Sequence, residues 1–123
     1  LGYTRTLLIT EVEITGSQCS DRHEVRPFSL FGGEPGGNGA TLIQKAGSDE
    51  WLTVKELYGK VSSSKYANVR FQPGDRIRLT APGGGGYGDP AKRDPAAVAL
   101  DVAEGYVSAA AAERLYGQST GEG

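Results

Sequence analysis

Residues 17–26, which read Ser-Gln-Cys-Ser-Asp-Arg-His-Glu-Val-Arg, form the densest group of reactive side chains in the sequence. Cys19 and His23 could act as a nucleophile and its general base, because imidazole can generate and stabilise a thiolate. The same two side chains could ligate a metal ion, if Asp21, Glu24 or a second chain completed the site. The simpler alternative is a buried thiol and a hydrogen-bonded imidazole.

The charged residues of this segment allow two further interpretations. Asp21 and Arg22 could form a surface ion pair of small energetic value. Arg22 together with Arg26 could instead bind a carboxylate or phosphate from across an interface, because guanidinium groups suit both anions. We therefore take Asp21, Arg22 and His23 as the candidate catalytic residues, and Cys19 and His23 as the candidate metal ligands.

Two glycine-rich segments, residues 32–39 and 81–90, could place backbone N–H groups against an anion. The second contains four consecutive glycines. No Gly-Lys-Ser/Thr ending follows them, so this is not a P-loop, and no Gly-x-Gly-x-x-Gly pattern opens a helix there. Close packing of one backbone on another is the alternative. The candidate ligand or interface positions are Gly32, Gly33, Gly83, Gly84, Gly85 and Gly86.

Composition narrows the class of protein. The chain has 123 residues and a formal net charge of −2, with acidic and basic residues interspersed, which argues against binding to nucleic acid or to an anionic membrane. Its single cysteine excludes an internal disulfide and suits the reducing cytoplasm, where we expect the protein. No stretch is long enough to span a membrane or arranged as a signal peptide, and because residue 1 is not Met we do not expect it to be the start of translation.

The candidate residues must be positioned by short strands. Residues 3–15 predict one strand whose buried face changes near Thr10, ending at Gly16. Residues 40–45 and 51–54 predict strands around a hairpin loop at 46–49. Further strands are predicted at 68–71, with Val69 and Phe71 inward, and at 76–80, with Ile77 and Leu79 inward. A type II turn at Pro73-Gly74 would join these last two.

Two helices should follow the strands. Asp94 is a favoured N-cap before Pro95, and Gly105 suits the end of that helix. Ser108 would cap a second helix, Ala109 to Tyr116, which Gly117 would end. The predicted fold is mainly β: antiparallel strands in a sandwich- or barrel-like body with Gly-rich loops, then a helical hairpin. We predict one domain, with a body at 1–90, a hairpin at 91–117 packed on it, and a flexible tail at 118–123.

Several ordered motifs resemble the C-terminal region of the hydantoinase B/oxoprolinase family. They are Ser-Asp-Arg-His at 20–23, Pro-Phe-Ser-Leu-Phe-Gly-Gly-Glu-Pro-Gly at 27–36, Pro-Gly-Asp at 73–75 and Pro-Gly-Gly-Gly-Gly-Tyr-Gly-Asp-Pro at 82–90. The tail from Asp94-Pro95 through Gly105-Tyr106-Val107-Ser108 to Tyr116-Gly117 is similar as well. Members of that family are usually several times longer than this chain.

The resemblance implies a small subunit of a multi-subunit ATP-dependent ketone carboxylase, most similar to that of acetophenone carboxylase. Such an enzyme converts a ketone and bicarbonate into a β-keto acid. The implied partners are larger hydantoinase A-like and B-like subunits, with ATP and Mg or Mn bound by other subunits. Two alternatives remain: a fragment of an ATP-dependent hydantoinase or 5-oxoprolinase, and a non-enzymatic anion-binding or scaffold module.

Overall fold

The computed structural model describes residues 2–117, so the predicted tail at 118–123 lies outside the described residues. Within that range the chain forms five β-strands, three α-helices and one short 3₁₀ helix. In chain order they are β1 (Thr4–Leu8), β2 (Ile14–Cys19), β3 (Ala40–Gln44), α1 (Val54–Tyr58), β4 (Lys65–Phe71), β5 (Arg76–Thr80), the 3₁₀ helix (Pro90–Lys92), α2 (Pro95–Ala103) and α3 (Ala109–Tyr116).

The strands form two antiparallel sheets, which confirms the predicted antiparallel pairing. One sheet has three strands in the order β1-β5-β3, and the other pairs β2 with β4. The three-stranded sheet ends at β1 on one side and at β3 on the other, so the described strands do not close into a barrel and that part of the prediction is wrong. A sandwich arrangement of the two sheets stays a prediction.

The predicted single strand at 3–15 is two strands in two different sheets. The change of buried face near Thr10 coincides with the passage from β1 to β2, so the pattern was informative although the strand was not continuous. Gly16 does not end the strand, since β2 continues to Cys19. Gly16 lies opposite Val69, where the Phe71 ring fills the space that a side chain would need. The register shifts immediately after it, between Gly16 and Gln18.

The predicted strand at 51–54 is also wrong. Only Leu52 bridges Ile43, through backbone hydrogen bonds of 2.7 and 2.9 Å. Thr53 then caps α1: its hydroxyl accepts from the Glu56 N–H, while the Glu56 carboxylate accepts from the Thr53 N–H. This reciprocal capping box starts a helix where residue preferences alone favoured a strand.

The core is small and is built from residues of both sheets and of α1. Its fully buried members include Ile43, Val54 and Phe71, with Ile9, Val69 and Ile77 beside them. The inward orientation predicted for Val69, Phe71 and Ile77 is therefore confirmed, and Leu79 packs against the same cluster. Nineteen glycines and six prolines leave few positions that can extend this core.

A buried carboxylate fixes the corner between β4 and β5. Asp75 is completely buried and accepts hydrogen bonds from the Gln72 N–H at 2.9 Å, the Ala46 N–H at 3.0 Å and the Lys45 Nζ at 2.6 Å. The Asp75 N–H in turn donates to the Gln72 carbonyl, and Gly74 has a φ of 92°, so the predicted Pro73-Gly74 turn is present. We call this group the Asp75 corner.

The C-terminal helices match their predicted ends. Asp94 caps α2 before Pro95, Ser108 caps α3, and Gly117 ends α3 with a φ of 65°. Gly105 follows α2 with a φ of 76°. α3 packs on the 3₁₀ helix and on α2. The division of the domain at residue 90 stays a prediction. None of the helices within residues 2–117 is long and apolar enough to cross a membrane.

Candidate functional site

Ser20 and His23 form a hydrogen-bonded pair just after β2. The Ser20 Oγ lies 3.1 Å from the His23 Nε2. The Gln18 Nε2 donates to the Ser20 Oγ and to the Thr41 Oγ1, both at 2.9 Å, which ties β2 to β3. Among the described residues, the Gln18 Oε1 is buried without a hydrogen-bond partner. The Gln18 Oε1 can therefore still accept a hydrogen bond from a ligand.

This network faces a cavity of about 210 Å³, which we call the inner recess. Its polar lining includes Gln18, Ser20, Asp21, His23 and Thr41, and its apolar side includes Leu79 and Pro82. Burial lowers the pKa of the His23 imidazole below its ordinary value, so the ring is neutral near pH 7. A neutral imidazole whose proton is on Nδ1 can accept the Ser20 proton at Nε2. The Ser20 Oγ also lies 3.5 Å from the Ser64 carbonyl, which is a second possible acceptor for the Ser20 proton.

The glycine-rich turn before β3 holds the histidine in place. The Asn38 Nδ2 donates to the His23 carbonyl at 2.8 Å, and the Gly39 N–H donates to the Arg22 carbonyl at 2.8 Å. A Cβ at Gly39 would lie 3.1 Å from the His23 Cδ2, so the missing side chain leaves room for the ring. Arg22 has a φ of 64°, which is uncommon for a residue other than glycine and persists only where surrounding contacts enforce it.

Asp21 and Arg22 line a second recess of about 530 Å³, which we call the outer recess and which shares Ser20, Asp21 and His23 with the inner recess. Asp21 pairs with Lys65 at 2.9 Å and not with Arg22, which was one of the two interpretations of these charges. The hydrogen bond from Lys65 lowers the pKa of the Asp21 carboxyl below its ordinary value. The Arg22 guanidinium lies 5.9 Å from the centre of the Phe28 ring. With Glu24 also on its wall, the outer recess has no excess of positive charge.

The other candidate residues of this segment are not drawn into one site. Cys19 is exposed at the end of β2, so the alternative of a buried thiol is wrong, whereas the imidazole of His23 is hydrogen-bonded, to Ser20 and not to Cys19. No three His, Cys, Asp or Glu side chains within residues 2–117 are grouped so that they could hold a metal ion. Cys19 with His23 as metal ligands stays a prediction that requires ligands from elsewhere.

Arg26 has a structural role instead of the predicted anion-binding one. Its Nε donates to the Gly36 carbonyl and its Nη2 to the Pro35 carbonyl, both at 2.8 Å. The guanidinium therefore ties the start of the 27–36 segment to its end. Arg22 and Arg26 cannot act as a joint clamp for an anion while Arg26 makes these bonds.

The two glycine-rich segments pack on each other, backbone against backbone. The Gly86 N–H donates to the Glu34 carbonyl at 2.8 Å, and the Gly83 N–H donates to the Gly37 carbonyl at 3.2 Å. A Cβ at Gly85 would lie 1.7 Å from the Phe28 carbonyl oxygen. Gly33 touches the backbone of Gly86 in the same layer, whereas Gly32 and Gly84 have more open surroundings. Close packing within the chain accounts for most of these glycines.

Sequence reasoning missed a cavity of about 440 Å³ between the end of the tetraglycine segment and α3. Tyr87, Asp89, Lys92, Arg93 and Tyr116 contribute to its lining. The Tyr87 ring packs edge-on against Phe31 at 5.2 Å, and Arg93 pairs with Asp101 at 2.5 Å. Sequence reasoning also missed Gln18, Ser20 and Thr41 at the inner recess. The one available signal there was Ser20, which lies three residues before His23.

Comparison with known proteins identifies relatives of this chain. Residues 1–90 match the family model described as hydantoinase B/oxoprolinase. The B subunit of a putative D-/L-hydantoinase from Pseudomonas sp. (strain NS671) is 31% identical over 98 residues, which are 80% of this chain and 15% of that protein. The beta subunit of caprolactamase from Pseudomonas jessenii is 52% identical over 46 residues, which are 37% of this chain and 8% of that protein. This chain thus corresponds to a small part of either relative. No solved structure matches it.

Proposed function

Because the chain belongs to the hydantoinase B/oxoprolinase family, we propose that it works as one part of a multi-subunit, ATP-dependent enzyme that acts on a carbonyl compound. In this proposal it completes a larger hydantoinase B-like body, and a hydantoinase A-like subunit is the second partner. The two relatives support an assembly, since both are named as subunits.

The observation that carries the proposal is the balance of exposed and buried apolar side chains. Among the described residues, fourteen large hydrophobic residues are exposed and eight hydrophobic residues are buried. Leu30, Phe31 and Tyr87 lie together, because Leu30 and Tyr87 are bridged and the two rings pack on each other. We call these three residues the aromatic ridge. Contiguous apolar surface of this kind is typical of protein interfaces.

A cyclic amide is the substrate class that we favour. Hydantoin and caprolactam are the compounds in the names of the two relatives, and both contain a ring amide. The inner recess offers hydroxyl, amide and imidazole groups that suit a neutral polar ligand, and its one carboxylate, that of Asp21, is paired with Lys65. A ketone with bicarbonate is the second candidate, which the sequence motifs favour through their resemblance to the small subunit of acetophenone carboxylase.

We assign ATP and its Mg or Mn to other subunits. The N–H groups of Gly83 and Gly86 already donate to backbone carbonyls, so two of the four N–H groups of the tetraglycine segment are not available to a phosphate. The described acidic and imidazole groups do not assemble a metal site either. A free-standing anion-binding module is less well supported, because Arg26 is engaged within the chain and Asp21 neutralises Lys65.

The test is an assay of ATP cleavage by the assembly that contains this chain. The tagged chain would be co-expressed with the hydantoinase A-like and B-like subunits of its own host, and the purified assembly supplied separately with hydantoin, caprolactam, or acetophenone with bicarbonate. We expect ATP cleavage that depends on an added cyclic amide. Cleavage that depends on the ketone and bicarbonate would favour the second candidate. A stable chain that binds neither partner would contradict the proposal.

A matched pair of variants tests the aromatic ridge. Phe31→Ser should weaken association with the larger partner, because Phe31 is exposed and its ring packs only on the edge of Tyr87. Val61→Ser is the control, since Val61 is even more exposed and lies in a polar loop. Equal association of both variants would exclude the ridge as an interface while leaving the family assignment intact.

A further inference from the structure

β1 is an edge strand whose outer side carries unused backbone hydrogen-bonding groups. The Ala81 N–H donates to the Tyr3 carbonyl and the Ile9 N–H donates to the Asp75 carbonyl, so the odd-numbered residues of this segment face β5. In an antiparallel ladder the residues between them direct their N–H and C=O groups the other way. Thr4, Thr6 and Leu8 therefore present their backbone groups at the outer edge, and no other described strand pairs with β1.

The hydrophobic row that crosses this sheet is left uncovered at the same edge. Ile43, Ile77 and Leu7 are cross-strand neighbours on one face of the sheet. Their exposure rises from 0% for Ile43 and 8% for Ile77 to 42% for Leu7. On the other face Leu8 is also exposed. Leu7 therefore leaves an apolar position at this edge that a side chain on a further strand could pack against.

The edge carries one of the features that protect free edge strands, the charge of Arg5, and lacks the others. β1 contains neither proline nor lysine, and its five residue pairs with β5 run without a bulge. Natural proteins usually block such an edge with a charge, a proline, a bulge or a covering segment. Arg5 is the one charge in β1; it shares a face with Leu7, and its guanidinium lies 5.8 Å from the centre of the Tyr3 ring.

We propose that β1 accepts an extended strand from the remainder of a hydantoinase B-like protein, so that the three-stranded sheet gains a fourth strand. This inference rests on the proposed function. The occupant follows from the relatives: the matched region is 15% of the hydantoinase relative, so most of that protein lies outside it. The glycine-rich segments are a poorer docking surface, because they already fill each other. Main-chain pairing at an open edge supplies affinity with few side-chain requirements.

Hydrogen exchange within the purified assembly tests this with an internal control. The Leu7 N–H is protected by β5 whether or not a strand is added, whereas the Thr6 and Leu8 N–H groups are protected only by an added strand. We expect the amides of Thr6 and Leu8 to exchange within about tenfold of the Leu7 rate. Exchange of Thr6 and Leu8 that is about a hundredfold faster than that of Leu7, in an assembly that has formed, would overturn the inference.

Proline substitutions give a second test. Thr6→Pro removes an outward N–H and should keep the fold, because proline is tolerated where an edge strand faces outward. We expect it to weaken association with the larger partner by about tenfold or more. Leu7→Pro removes an N–H that faces β5 and is the control that should disrupt the sheet itself. Association of a folded Thr6→Pro chain at the wild-type level would contradict the inference.

The outcomes separate this inference from the proposed function. An assembly with substrate-dependent ATP cleavage but with an unprotected β1 edge leaves the proposed function intact and rejects the added strand. Failure of any hydantoinase B-like protein to bind rejects both. A dimer of this chain alone, dissolved by Thr6→Pro, would identify a second copy as the occupant and reject the strand proposed here.

Discussion

The Asp75 corner and the Ser20–His23 pair are both polar clusters, but their hydrogen-bonding states are opposite. Asp75 is completely buried, and its carboxylate receives three donors, including the Lys45 ammonium at 2.6 Å. The Ser20–His23 pair borders two cavities, and the network behind it leaves the Gln18 Oε1 without a partner among the described residues. This difference distinguishes a cluster that stabilises the fold from a cluster that can bind a ligand. The Asp75 carboxylate has all its hydrogen bonds made within the chain, whereas the Ser20–His23 network keeps an acceptor that a ligand could use.

The largest effect should come from Asp75→Ala, which leaves the Gln72 and Ala46 N–H groups and the Lys45 ammonium without their acceptor. We expect a loss of about 3 kcal/mol in the free energy of unfolding, at the lower end for a broken buried pair, because Lys45 is partly exposed and can rehydrate. Urea unfolding followed by circular dichroism measures it. Asp21→Ala is the control and should leave the unfolding midpoint unchanged, since the carboxylate of Asp21 is 78% exposed. Equal effects of the two substitutions on the unfolding midpoint would contradict the distinction between a cluster that stabilises the fold and one that can bind a ligand.

The second-largest effect concerns the two glycine-rich segments, whose packing on each other stabilises the fold. Gly85→Ala should cost about 2–3 kcal/mol, because its Cβ would lie 1.7 Å from the Phe28 carbonyl oxygen and the two backbones must separate. Gly84→Ala is a matched control one residue away, with nothing within 4 Å of its added Cβ, and should change stability by less than about 0.5 kcal/mol. Thermal unfolding of the two variants measures this difference in stability. A tolerated Gly85→Ala would make this segment a candidate ligand loop again.

Acid should lower the stability that the Asp75 corner contributes within a defined pH range. Burial alone would raise the pKa of Asp75, but the hydrogen bonds from Lys45, Gln72 and Ala46 outweigh it and lower that pKa below its ordinary value. The stabilisation is therefore complete above the unfolded pKa of about 3.9 and is lost as pH falls through the lower, folded pKa. Urea midpoints measured from pH 6 to pH 2.5 should fall in this window for the wild type. In Asp75→Asn the decrease should be smaller, and an identical pH profile would contradict the assignment.

The smallest effect concerns His23 and has a different pH window. Burial lowers the pKa of its imidazole, so the unfolded chain binds a proton more readily than the folded one. Stability is then greatest above the unfolded pKa of about 6.5 and decreases as pH falls from there toward the folded pKa. His23→Gln should flatten the stability profile between pH 7 and pH 5, and leave the decrease below pH 4 unchanged. A pH profile with the same slope in both proteins would show that His23 is fully solvated.

Local sequence signals located much of the secondary structure but not the candidate site. The Asp94-Pro95 and Ser108 starts, the Gly117 end and the Pro73-Gly74 turn were all predicted, because each depends on residues within one turn of the chain. The Thr53–Glu56 capping box was equally local, but it was not recognised, and the β-branched and aromatic residues around it led to the prediction of a strand. Ser20 was overlooked because its role depends on Gln18 and on Thr41, a residue of another strand.

By itself, the sequence determined the ends of α2 and α3, the antiparallel character of the strands, the inward side chains of β4 and β5, and the family. These properties follow from short-range hydrogen bonding, from alternation along a strand, and from ordered motifs. Only the tertiary structure decided that residues 3–15 divide between two sheets and that Arg26 closes its own loop. It also decided that the tetraglycine segment fits against residues 28–37, some fifty positions earlier. Contacts across such distances depend on the whole packed chain, because no local pattern records which distant backbone a glycine will meet.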